Sequence, residues 1–121
     1  ENQMLVFPYL EFPLKEKGST CLDRCDVGYA LWKEDACHLD SEARAKLTLL
    51  PPTPCLYTAV VMPSDTGYAS ALQPVLQELA SRGITPAGNV FCRTVTVHRG
   101  GSAYLYYRDV WIPVPEGTVL N

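Results

Sequence analysis

Seven tyrosines, five cysteines and two histidines carry most of the chemistry available to this chain. Tyr104, Tyr106 and Tyr107 crowd one short run, more tyrosine than a core needs. Aromatic walls offer wide apolar contact and a negative ring face, which suits a loose small-molecule pocket. Cys21, Cys25, Cys37 and His38 invite a metal reading. A structural zinc site, however, usually draws close cysteine pairs from tight turns, whereas Cys21 and Cys25 stand at a strand start and the other two in a loop. No metal and no cofactor is assigned. Cys92 would be a sensing thiol only if something lowered its pKa, and nothing nearby in sequence obviously does so. His38 and His98 lie in a loop and at a strand end, outside any Ser/His/Asp or Cys/His arrangement. The chain is therefore read as a binding protein, not an enzyme.

The elements that must position these groups are legible in the periodicity. Residues 4–9 and 22–33 read as strands, the second with Val27, Tyr29 and Leu31 on one face and Gly28, Ala30 and Trp32 on the other. Residues 15–20 form a polar connection, and residues 34–46 a charged loop with one helical turn. The apolar run 47–50, the turn Pro51-Pro52-Thr53-Pro54 and the run 56–62 read as a Pro-rich hairpin. A helix follows, with Tyr68, Leu72, Val75, Leu76 and Leu79 at helical spacing, Ser64 and Asp65 as caps, a bend at Pro74 and a stop at Gly83. Residues 89–98 alternate, placing Phe91, Val95 and Val97 on the helix-covered face and Cys92, Thr94 and Thr96 on the other. Arg99-Gly100-Gly101-Ser102 is a hairpin turn. Residues 103–114 return with Tyr104, Tyr106 and Arg108 opposite Leu105, Tyr107 and Trp111, and simple alternation puts Asp109 on the helix side.

At 121 residues this is a single domain. A net charge of −3 without a basic block excludes the electrostatic footprint of a nucleic-acid binder. No apolar stretch reaches membrane-span length, and the irregular, odd-numbered cysteines suit a cytoplasmic protein with reduced thiols. An internal repeat is also visible. Asp26-Val27 and Asp109-Val110 fall at the same place in two strands, each preceded by a strand and a Gly-containing turn. The fold expected is α+β, with two pseudo-symmetric antiparallel half-sheets and a covering helix. Residues 1–45 would form a partial first half and 46–114 a complete second half.

These features together resemble the GyrI-like effector-binding domain of bacterial multidrug-responsive regulators of the MerR class, which also occurs in AraC-type regulators and as stand-alone proteins. The resemblance rests on the Pro-rich segment before Tyr57-Thr58-Ala59-Val60-Val61, the helix entry Ser64-Asp65-Thr66-Gly67-Tyr68, and the helix end Gly83-Ile84-Thr85-Pro86. It extends to Asn89-Val90-Phe91 and to Asp109 before Val110-Trp111-Ile112-Pro113-Val114. Two features depart from the family. Its further N-terminal strand and helix have no counterpart here, so the first half is expected to be incomplete. Cys92 stands where multidrug members often place an acid beneath a cationic drug.

The resemblance implies a small drug-like effector in a groove between the half-sheets. Tyr68 and Tyr106 match pocket tyrosines, Cys92, Thr94 and Tyr104 fall at neighbouring lining positions, and Trp32 and Tyr29 would contribute from the first half. Asp109, if it reached the groove, would replace the charge missing at Cys92. The resemblance further implies a separate DNA-binding domain, contact with RNA polymerase and a homodimer in the full-length regulator. A stand-alone binding protein, a hydrolase of small electrophiles and a protein-interaction module using the uncovered half-sheet are the other expectations.

Overall fold

Alternating apolar residues at 10 and 12, 90 and 92, and 110 and 112 need one shared cover, and a single amphipathic helix supplies it. The computed structural model describes residues 6–15 and 20–119. The polar connection at 16–19, with the first-half turn at Lys17-Gly18-Ser19, and the start of the first strand at Met4 lie outside the described residues. The strands are β1 (Val6–Phe12), β2 (Asp26–Leu31), β3 (Cys55–Pro63), β4 (Val90–Gly100) and β5 (Ala103–Pro113); the helices are a 3-10 turn (Lys33–His38), α1 (Ser41–Ala45) and α2 (Tyr68–Ser81). All five strands form one antiparallel sheet in the order β2-β1-β4-β5-β3. The architecture is thus α+β, a five-stranded open sheet with few helices.

Leu72 and Leu79 of α2 close over Leu10, Phe12, Met62, Val90, Cys92, Val110 and Ile112. Side chains of this size contribute about 1.5–3 kcal/mol each when fully buried, so this one face holds the domain together. Pro74 lies within α2 on its solvent side, where the missing amide removes one backbone bond without disturbing the buried stripe. Gly83, at φ +73°, ends the helix in the left-handed region that a side chain would resist.

Five expectations are corrected. The helix-side face of β4 carries Val90 and Cys92, not Phe91, and Val97 returns to that side only beyond a bulge, where it stays half-exposed opposite Tyr106. Alternation says which residues share a face but not which face is covered. A bulge at Val95, where the pairing shifts between Thr94 and Thr96, then turns Thr96 to the side opposite Thr94. Asp109, which pairs with Arg93 ahead of the bulge, lies on the uncovered side because its β5 neighbours Val110 and Ile112 face α2. Ser64 and Asp65 do not cap α2; the cap position is Gly67, without a side-chain hydrogen bond. Residues 47–54 form no strand and hence no hairpin with β3, because four near-consecutive positions include three prolines that cannot donate to a ladder. Residues 34–46 hold more helix than one turn: Asp40 caps α1 by accepting from Ala43 N at 2.7 Å.

The register is informative. Leu10 of β1 faces Cys92 of β4; Val27 pairs with Leu10, and Val110 pairs with Cys92. Asp26 pairs with Glu11 one position on, as Asp109 pairs with Arg93. On the helix side, α2 covers β5 but not β2, so Val110 is fully buried while Val27 is 70% exposed.

Candidate functional site

Where β3 gives way to α2, the connecting turn frames a cavity of about 400 Å³. Its walls are Met62 from β3, Ser64, Thr66 and Gly67 from the turn, Tyr68 from α2, and Tyr106 and Arg108 from β5. The turn is clamped to β5 in both directions: Ser64 N donates to Tyr104 O at 2.8 Å, and Tyr104 N donates to Ser64 Oγ at 2.9 Å. Thr66 donates through its amide and hydroxyl to Pro63 O. Tyr68 sets its ring edge-on to Phe12 at 5.3 Å, which anchors its base to the core and leaves it facing the cavity.

Arg108 is the unusual group. It is only 8% exposed, yet among the described residues no carboxylate forms an ion pair with it. Nε donates to Thr94 Oγ1 at 3.1 Å and Nη1 to Met62 Sδ at 3.1 Å. The guanidinium carbon stands 4.6 Å from the Tyr106 ring centre and 5.9 Å from that of Tyr68. Ring faces partly replace lost hydration, but a thioether is a weak acceptor, and among the described residues most of the five-donor fork finds no acceptor. A buried charge without a counter-ion costs several kcal/mol. Asp109, next along the chain, cannot help because strand alternation sends it to the opposite side.

Burial raises the Tyr68 hydroxyl above its ordinary pKa, reinforced by the nearby Cys25 thiol and opposed by Arg108. Its phenol therefore stays protonated and able to donate at neutral pH. Cys92 lies in the core beneath α2, away from the cavity, and burial pushes its thiol up to about 12. It is a packing residue, and the thiolate needed for a sensing or nucleophilic role is suppressed.

The structure brings Tyr68 and Tyr106 together and places Thr94 behind them as the acceptor for Arg108. Tyr104 stands beside the cavity through its amide, with a half-exposed ring near Arg99. Tyr29 is 78% exposed on edge strand β2 and touches none of this. Trp32 and Asp109 belong to the other face of the sheet. Arg108 is the group that sequence reasoning passed over. Its signal was present: an arginine sharing the face of Tyr106, with no acid at alternating positions of its own strand.

The other face carries a second assembly. Arg93 donates to Asp109 through Nε at 3.1 Å and Nη2 at 2.5 Å, and Tyr57 donates its hydroxyl to the same carboxylate. Around Arg93 lie the rings of Phe7, Trp32 and Trp111 at 5.4, 5.5 and 5.9 Å. Tyr9 stacks on Phe91 at 4.8 Å. Burial pushes the Asp109 carboxyl up, but the hydrogen bonds from Tyr57 and Arg93 outweigh it and hold the group below its usual pKa. Its charge is thus already neutralised. A cleft of about 560 Å³ opens beside this cluster, bounded by Trp32, Phe91, Trp111, Pro51 and Pro52. It is larger than the cavity at α2, but its walls are apolar rings and prolines. Polar groups at its edge are engaged: Asn89 donates to Glu11 at 2.6 Å and accepts from Leu14 N at 2.8 Å.

Among the described residues, no three His, Cys, Asp or Glu side chains stand close enough to hold a metal, and Cys21, Cys25, Cys37 and His38 do not assemble. No helix is long and apolar enough to cross a membrane. Comparison with family models, curated proteins and solved structures gives no match to this chain.

Proposed function

We propose that this domain binds a small molecule at the entry of α2 and serves as the effector-binding domain of a cytoplasmic bacterial transcription regulator. The observation that carries the reading is the convergence of Tyr68 and Tyr106 on one cavity beside a buried, carboxylate-free arginine. A pocket of this size with aromatic walls and a few directed polar groups is what small-ligand recognition needs. In the full-length regulator, ligand would bias a separate DNA-binding domain, and through it polymerase, by a coupling free energy between two sites. A homodimer belongs to the same reading.

The pairing register supports the GyrI-like part of the proposal. A twofold axis between Leu10 and Cys92 would exchange β1 with β4 and β2 with β5, and would carry Asp26-Val27 onto Asp109-Val110. The repeat read in the sequence lands on equivalent ladder positions, as duplicated half-sheets require. The uncovered Val6, Val27 and Tyr29 mark where a first-half helix would lie in that family. A hydrolase would draw on an acid in the groove, and Asp109 is instead bound to Arg93 and Tyr57 across the sheet.

Calorimetric titration with small aromatic compounds tests the reading. Saturable binding to the wild-type chain, weakened about tenfold or more by Tyr106→Ala and unchanged by Tyr29→Ala, is expected from loss of one ring contact and its hydroxyl. Equal binding by all three proteins, or none, would refute it.

A further inference from the structure

The ligand charge that this pocket selects follows from Arg108, and the inference rests on the pocket reading above. We propose that the cavity takes a small organic anion, an aromatic carboxylate or phosphate, whose head group pairs with the Arg108 guanidinium. Three features of the cavity favour such an anion. The first is the unmatched charge: the side chain is more than nine-tenths buried, lines the cavity, and among the described residues meets a hydroxyl, a thioether and two ring faces but no carboxylate. A planar fork with free N–H groups matches carboxylate and phosphate oxygens in two-point geometry.

The second is the helix. Gly67 and Tyr68, the cap and first residue of the 14-residue α2, line the same cavity, and no side chain caps those amides. The positive end of the helix adds to the arginine field at the point where a head group would sit. The third is aromatic: the Tyr68 and Tyr106 rings line the same cavity, where they can flank an aromatic body. Among the described residues, the one charged group lining the cavity is Arg108, and a lipophilic cation would meet its uncompensated positive charge. The expected preference is opposite in sign to that of a pocket with an acid at the Cys92 position.

The experiment compares benzoate, phenyl phosphate, neutral benzamide and cationic benzamidine by NMR titration of the full chain, following the Arg108 Nε–H and the Tyr68 amide. Benzoate should bind at least about tenfold tighter than benzamide, the least expected from one charge-assisted pair, with benzamidine weakest and both reporters shifting. Arg108→Gln should bring benzoate and benzamide to equal affinity, and Arg108→Lys should keep the anion preference with weaker binding. Should Arg108→Gln fail to fold, the Lys variant and the wild-type ranking still decide. Benzamidine binding as well as benzoate, with both weakened by Tyr106→Ala, overturns the anion assignment and leaves the pocket standing. An anion preference that survives Arg108→Gln overturns it as well. Absence of binding by all four probes overturns both readings.

Discussion

Asp109 and Arg108 are adjacent in sequence and nearly equal in burial, yet they pose opposite electrostatic problems. Asp109 is satisfied by Arg93 and Tyr57, whereas Arg108 has no carboxylate partner among the described residues. The sign of the first follows from linkage. A carboxyl held below its usual pKa contributes stability that is present above about pH 4 and lost as pH falls through the folded value. The wild-type melting temperature should therefore drop on acidification below about pH 4. Asp109→Asn should flatten that drop and cost about 1–3 kcal/mol at neutral pH, the usual range for hydrogen bonds to a charged group. Cys92 behaves oppositely. With its thiol raised to about 12, its contribution is complete below the unfolded thiol value near 8.5 and fades as pH rises through the folded one. Native protein should leave Cys92 unlabelled by iodoacetamide while exposed Cys37 and Cys55 react, and denaturant should release it. Labelling of Cys92 in the native state would contradict its place in the core.

Elements differ in how plainly the sequence announced them. α2 was legible because Tyr68, Leu72, Val75, Leu76 and Leu79 repeat at helical spacing and Gly83 ends the run. The β4–β5 hairpin was legible from its glycines and alternation. What alternation could not supply was the side of the sheet that α2 covers, so Cys92 passed for a pocket residue and Phe91 for core. The bulge at Val95 added a local parity change with no sequence mark beyond a run of β-branched residues. Residues 47–54 failed differently: their apolar composition suggested a strand, but the prolines remove ladder donors. Two stability tests belong here. Pro74→Ala, on the solvent side of α2, restores a backbone bond and should raise stability by about 1–3 kcal/mol in chemical denaturation. Leu72→Ala, beneath it, should cost about 2–5 kcal/mol. A loss on Pro74→Ala would show that the proline conformation is itself used in packing.

For the whole molecule, one helix covers only part of a five-stranded sheet, and the two sides serve different ends. The α2 side combines the core with the cavity that Arg108 lines. The other side presents rings around a neutralised Arg93–Asp109 pair. Val27 and Val110 occupy equivalent pairing positions with opposite burial, 70% and 0% exposed. Val27→Ala should therefore change stability by less than about 0.5 kcal/mol, whereas Val110→Ala should cost about 2 kcal/mol or more. Of the candidate site, Tyr68 and Tyr106 were readable from strand and helix position. Arg108 was legible only in part: its own strand offers no acid on that face, but the lack of one on neighbouring strands shows only once the strands are paired. The most direct test of this account is amide chemical-shift mapping of the full chain with saturating benzoate. Shifts centred on residues 64–68 and 106–108 are the predicted result. Shifts confined to Trp32, Phe91 and Trp111 across the sheet, or none, would contradict it.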